Sequence, residues 1–144
     1  TPTSFLQLPV YPLADVLLLR AEALNQLGRG SEALEIVNSI RSRVGYTADA
    51  ATEADAADRA AVENIILKER QLEFMGEGKR WFDLMRTGKV VEVMDPVMRQ
   101  RQDDYNAAIT GFGDQGRILF PIYYKEFEAN PALRGQQNPP YTEG

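Results

Sequence analysis

The 144-residue chain contains no cysteine and no histidine. Without cysteine there is no disulfide framework, thiol nucleophile or thiolate metal site. Without histidine, Ser-His and Cys-His triads, the commonest general base and the usual zinc sites are excluded. The 16 basic side chains are outnumbered by 21 acidic ones, a net charge of −5, which argues against nucleic acid as a partner. No run approaches the ~20 apolar residues of a membrane span. The longest aliphatic stretch, Val16–Leu19, is broken by Asp15 and Arg20. The chain opens Thr1-Pro2-Thr3-Ser4, with neither an initiator Met nor the basic start of a signal peptide, so a piece of something larger is expected.

What is present is helical. Pro12 suits the first turn of a helix that runs to Leu27, with Leu13, Leu17, Ala21 and Leu24 as its apolar set. Leu18 and Leu19 add to that set, so this helix is expected to be covered on more than one side. Gly28 and Gly30 supply the stop and turn. Ser31 is the expected cap of a second helix carrying Ala33, Leu34, Ile36, Val37, Ile40 and Val44. The two form a hairpin over residues 12–45 with the small/large alternation of a tetratricopeptide repeat. Residues 46–59 are small and acidic and read as a surface loop with at most a turn of helix.

Motif-bearing helices occupy 60–88, the first from about Ala60 to Met75 and the second over Arg80–Met85. Residues 89–144 are loop-rich. Val90–Met98 is cut into two pieces at Asp95-Pro96, Arg99–Gly116 reads as a long loop, and Ile118–Ile122 as an extended stretch whose Pro121 keeps it out of a central strand. A helical turn is expected at Lys125–Glu128. The expected class is all-α, a tetratricopeptide-like hairpin with further helices and long irregular loops, as a single domain over 1–144.

The densest chemistry is Glu69-Arg70-Gln71-Leu72-Glu73-Phe74-Met75-Gly76-Glu77-Gly78-Lys79-Arg80-Trp81-Phe82-Asp83-Leu84. Glu69, Glu73 and Glu77 recur at i, i+4, with Arg70 and Arg80 three residues from a glutamate. Glu73 and Glu77, ~5–6 Å apart on one helix face, invite comparison with the acid and nucleophile of a retaining glycosidase. Two carboxylates on one helix point the same way, however, and cannot flank a bond. Arginine neighbours also keep both ionised, unlike a general acid. A structural ion-pair ladder is the expectation, with no catalytic residue. Trp81 and Phe82 admit sugar stacking, but a lone Trp on a short amphipathic helix reads first as a packing anchor. Gly111–Gly116 matches a dinucleotide fingerprint by letter only, since no strand precedes it and no helix can follow. Asp103, Asp104 and Asp114 lack the spacing of a calcium loop, and neither a metal nor a cofactor is expected.

Three blocks, Pro12–Arg43, Glu69–Gly88, and Leu119-Phe120-Pro121-Ile122 followed by Asn130-Pro131 and Gln137-Asn138-Pro139, together resemble the C-terminal part of SusD/RagB-family lipoproteins. Glu-Arg-x-x-Glu…Glu-Gly-x-Arg-Trp-Phe-Asp-Leu is the specific block. Lys79 stands where the family often has His, and Pro140 where Gly often precedes the final Tyr, here Tyr141. Neither departure touches the expected ladder.

The resemblance implies a surface-exposed, mostly helical lipoprotein of the outer membrane, held by an N-terminal lipid anchor outside these residues. Such proteins bind oligosaccharides, in some cases peptides, and act as a lid on a SusC-like TonB-dependent transporter; they are not enzymes. Glu69, Arg70, Glu73, Glu77, Gly78, Arg80, Trp81, Phe82, Asp83 and Leu84 are carried over as a structural signature only. No ligand-binding residue is carried over. If ligand contact occurs in this segment, Tyr105 and Phe112 in the variable loops are where it is expected, although both read first as surface decoration. A cytosolic tetratricopeptide adaptor remains the alternative from another class.

Overall fold

The structure, a computed structural model, describes residues 11–105, 118–139 and 141–142. The described residues are all-helical, with no strand among them. They fall into two units, residues 1–80 and 81–144.

In the first unit, α1 (Leu13–Gln26) follows Pro12, whose carbonyl accepts from the Asp15 amide at 2.9 Å. It ends at Gly28, at φ +76, where the Gly28 N–H donates to the Asn25 carbonyl and the Arg29 N–H to that of Leu24. This double closure needs a left-handed residue, which glycine adopts without strain. The same closure ends α2 (Gly30–Arg43): the Gly45 N–H reaches the Ser42 carbonyl, and the Tyr46 N–H reaches that of Arg41 at 3.0 Å. α2 starts one residue before Ser31, which therefore lies inside the first turn and does not cap it. Gly30 is required there for another reason. A Cβ on it would stand 2.0 Å from the Ala56 carbonyl oxygen, where the 47–58 loop crosses the helix start.

That loop is built into the unit. A 3-10 turn, Ala50–Thr52, is capped by the Asp49 carboxylate, and Ala50 is fully buried. Most of the loop is exposed, as its small residues suggest, while Ala50 packs into the core and Ala54 and Ala56 are partly buried against it. α3 (Arg59–Glu73) follows, its Asp58 side chain accepting from the Ala60 and Ala61 amides. Asn25 on α1 donates to the Arg59 carbonyl at 2.9 Å and locks the start of α3 to the hairpin.

The core joins Ala14, Leu18, Ala21 and Leu24 of α1 to Ala33, Leu34, Val37 and Ile40 of α2 and Val62, Ile65 and Ile66 of α3. Ala21 and Ala33 are both fully buried, so small side chains sit where α1 and α2 approach. The α1 seam is rotated from the stripe the sequence suggested, because it must also carry Asp15. Leu13 is 73% exposed, and Val16, Leu19 and Leu27 are open as well, so within the described residues this helix is covered on one side only.

In the second unit, α4 (Arg80–Arg86) leads into α5 (Val90–Tyr105), followed by α6 (Tyr124–Ala129) and a 3-10 turn, Pro131–Leu133. α5 is one helix that passes through Pro96, not two pieces, and takes in the start of the expected Arg99–Gly116 loop. Proline there removes a donor for the Glu92 carbonyl. Arg99 spans the interrupted turn, donating to Asp95 at 3.2 Å.

Ile118–Ile122 is not a strand. Its polar backbone is met by side-chain amides: the Ile122 N–H donates to Gln137 Oε1 at 2.7 Å and its carbonyl accepts from Gln137 Nε2 at 3.0 Å. Asn138 Nδ2 donates to the Phe120 carbonyl at 2.8 Å. This pairing gives Gln137-Asn138 and Phe120-Pro121-Ile122 a physical reason to occur together.

Candidate functional site

The charged motif begins on α3, but its ion pairs run between elements. Glu69 and Arg70 are adjacent in sequence and so point about 100° apart around the helix axis. Glu69 faces α2, where Arg41 Nε lies 2.9 Å from its Oε2. Arg70 faces α1, with Nη1 2.8 Å from Asp15 Oδ1 and Nε 3.6 Å from Glu22. Glu73 pairs with Arg43 of α2. α3 ends at Glu73, so Glu77 stands in the following turn, 3.3 Å from Lys79. The expected ladder along one helix is therefore a set of cross-links from α3 and its following turn to α1 and α2.

Lys79 belongs to this set, contrary to the sequence reading. Its Nζ sits 2.7 Å from Asp15 Oδ2 and 4.4 Å from the Phe74 ring centre. Asp15 is 2% exposed and held by two cations. Burial pushes its carboxyl upward, but Lys79 and Arg70 outweigh that and hold it below its ordinary 3.8.

The rest of the motif has structural placements. Gly78 turns at φ +73, and Arg80 Nη1 donates to the Leu67 carbonyl at 2.8 Å. Trp81 is half-buried. Phe82 is 68% exposed and so is no core anchor. Asp83 is buried and bonded to Arg86 at 2.8 Å, next to the fully buried Leu84.

A second centre forms around Arg41, itself buried. Its Nη1 lies 2.6 Å from Glu53 Oε1 while Nε holds Glu69, and Nη1 also donates to the Ala48 carbonyl at 3.4 Å. Burial lowers the guanidinium's affinity for its proton, but the bonds to Glu53 and Glu69 outweigh that and leave a net upward shift. Tyr46 stacks over the same group, 5.3 Å from ring centre to Cζ. Arg41 and Tyr46 are the two residues that the helix-ending closure brings together, so helix termination itself builds this contact.

Above the Arg41 centre lies an open groove of about 820 Å³. One wall is α3, through Ala61, Asn64, Ile65, Lys68 and Leu72. The other carries Val44 and Tyr46, with Arg41, Glu53, Glu69 and Glu73 at the base and rim. The volume is that of a ligand site. Its acids are not free, however: Glu53 and Glu69 share Arg41, and Glu73 has Arg43. Each of these carboxylates is bound to a guanidinium, which leaves none of them as an unpaired acid facing the groove.

Sequence reasoning found the α3 half of these pairs and missed Asp15, Glu22, Arg41, Arg43 and Glu53. A signal was available. Asp15 interrupts an apolar run beside Ala14, and Arg41 stands four residues after Val37 on the buried face of α2; a charge there must find a partner. Of the proposed ligand-contact residues, Tyr105 ends α5 and Phe112 lies outside the described residues, as do Gly111–Gly116 with Asp114. Asp103 and Asp104 fall on α5. Among the described residues no cluster of three or more acidic side chains is arranged to hold a metal, and no helix is long and apolar enough to cross a membrane.

The sequence profile of the SusD family matches residues 4–141. Among curated proteins, the chain is similar to three from Formosa agariphila. SusD-like protein P38 is 42% identical over 136 residues, covering 92% of this chain and 24% of that protein. SusD-like protein P25 is 30% identical over 124 residues, 86% of this chain and 22% of that protein. SusD-like protein P2 is 35% identical over 98 residues, 65% and 19% respectively. The chain thus spans about a quarter or less of the length of the relatives it matches. No solved structure matches it.

Proposed function

We propose, from the premise that this chain belongs to the SusD family, that it is part of a nutrient-binding protein of the outer-membrane surface that captures oligosaccharide without chemistry. Captured ligand passes to a SusC-like TonB-dependent barrel transporter, and a lipid anchor outside these residues holds the protein at the membrane. The observation that carries the non-catalytic part is the pairing of the groove's acids, Glu53 and Glu69 with Arg41 and Glu73 with Arg43. A charge-satisfied helical frame is suited to holding loops rigidly. The adaptor reading rests on the α1–α2 hairpin alone and accounts for none of the 69–84 motif.

The test uses the full-length protein. It is titrated calorimetrically against a panel of oligosaccharides, each recovered afterwards for analysis, and solubilised membranes are examined for a co-purifying barrel protein. Binding of one glycan class, recovered uncleaved, together with a barrel partner supports the proposal. Cleavage that disappears in a Glu73→Gln, Glu77→Gln double variant overturns it in favour of hydrolysis. Absence of any glycan binding alongside a cytosolic helical partner overturns it in favour of the adaptor.

A further inference from the structure

The groove beside Arg41 has a register that the nutrient-binding proposal leaves unexplained. Ala61, Asn64, Ile65, Lys68 and Leu72 recur on α3 at steps of three and four, so they share one stripe about 100° wide. An outward-facing stripe is normally polar. Here Leu72 is 60% exposed and lies across the groove from Val44 at 69% and Tyr46 at 55%. Apolar patches of this kind mark a surface that something covers.

The polar chemistry narrows what that is. Arg41, Glu53, Glu69 and Glu73 are engaged in ion pairs. Among the described residues Lys68 is the one charged group of the groove with no ion-pair partner, and it stands between Ile65 and Leu72. A sugar needs many free donors and acceptors, and this groove has spent most of its own. A helix needs an apolar seam at this spacing, and an ammonium covered by it needs an anion.

We propose that the groove seats an amphipathic helix of the same polypeptide, from the part of the protein beyond these 144 residues. That helix carries a carboxylate opposite Lys68, with aliphatic residues three or four positions to either side. The occupant is assigned to the same chain because this chain spans only 24% of its relative P38, leaving about three quarters of such a protein to supply it.

Carbodiimide coupling of the unmodified full-length protein tests this, since it joins an amine only to a carboxylate already in contact. Peptide mapping of the monomer band is expected to show Lys68 joined to an Asp or Glu outside residues 1–144. Acetylation run in parallel is expected to show loss of Lys68 labelling relative to the exposed Lys125. The proposal is overturned if Lys68 labels as fast as Lys125, if its coupling appears only in a dimer band, or if labelling falls only when oligosaccharide is added. The last result would make the groove a ligand site and leave the nutrient-binding proposal standing, so the two fail separately.

Discussion

At Asp15 one anion is held between two cations, Arg70 and Lys79; at Arg41 one cation is held between two anions, Glu53 and Glu69. The two centres lie in the same unit and draw on adjacent residues of α3, yet they do different work. The Asp15 centre is sealed: the Asp15 and Arg70 side chains are 2% and 4% exposed, and it ties the start of α1 to α3 and to the turn after it. The Arg41 centre is open on one side, its Glu53 partner 40% exposed, and it doubles as the base of the groove. Position thus decides whether the same ion-pair chemistry braces a core or builds a surface.

Removing the shared ion from each centre should separate them most. Asp15→Ala takes the shared anion from Arg70 and Lys79, leaving the buried Arg70 with the longer contact to Glu22 and Lys79 with Glu77. Breaking a buried pair costs about 3–5 kcal/mol. Arg41→Ala strands Glu69, but Glu53 can turn to water, so its loss should be smaller. Denaturant unfolding of the two variants checks the order, and an equal or greater loss for Arg41→Ala would break the comparison. Acid should separate them too. Asp15 is held below its ordinary 3.8, so the unfolded chain takes up this proton at a higher pH than the folded one. Its contribution is complete above that ordinary value and is lost as the pH falls through the folded one. Asp15→Asn should therefore flatten the acid limb of the stability profile, and an unchanged limb would place the titrating group elsewhere.

The open centre has a second fastening, which a smaller effect can reveal. The 47–58 loop is pinned by Glu53 to Arg41 and again where the Ala56 carbonyl meets Gly30. Gly30→Ala places a methyl 2.0 Å from that oxygen and forces the loop off α2. Overpacking of this kind costs about 1–3 kcal/mol. If the loop contact matters to the Arg41 centre, amide exchange should quicken across 47–58 while the Asp15 side keeps its protection.

The helices were legible because their signals are local: Gly28 and Gly45 after apolar runs, and periodic stripes between them. The α1–α2 hairpin emerged with bounds close to those observed. Partners were not legible, because spacing along α3 shows which charges share a turn but not which helix each one faces. Glu69 and Arg70 therefore read as rungs of one ladder, although a single residue step sends them to different helices. The 47–58 loop is the surface loop with a helical turn that its composition suggests, and only the residue it buries was not legible. Alanine carries too little apolar surface to announce burial, yet Ala50 is fully covered. At Pro96 the local rule failed outright, as α5 accepts one missing hydrogen bond where the sequence suggested a break.

The smallest expected effect isolates the exposed arm of the open centre. Glu53→Gln keeps the shape and the possibility of a neutral hydrogen bond to Arg41, while Glu69 still holds the guanidinium from the other side. With 40% of its side chain in water, Glu53 belongs among pairs worth about 0.2–1 kcal/mol. Global stability should barely move. The change should instead show as salt-insensitive, faster amide exchange at Ala50–Glu53, because the charge that salt would screen is gone. Should Glu53→Gln prove as costly as Asp15→Ala, the Arg41 centre would have to be as closed as its counterpart, with the groove's base acting as interior rather than surface.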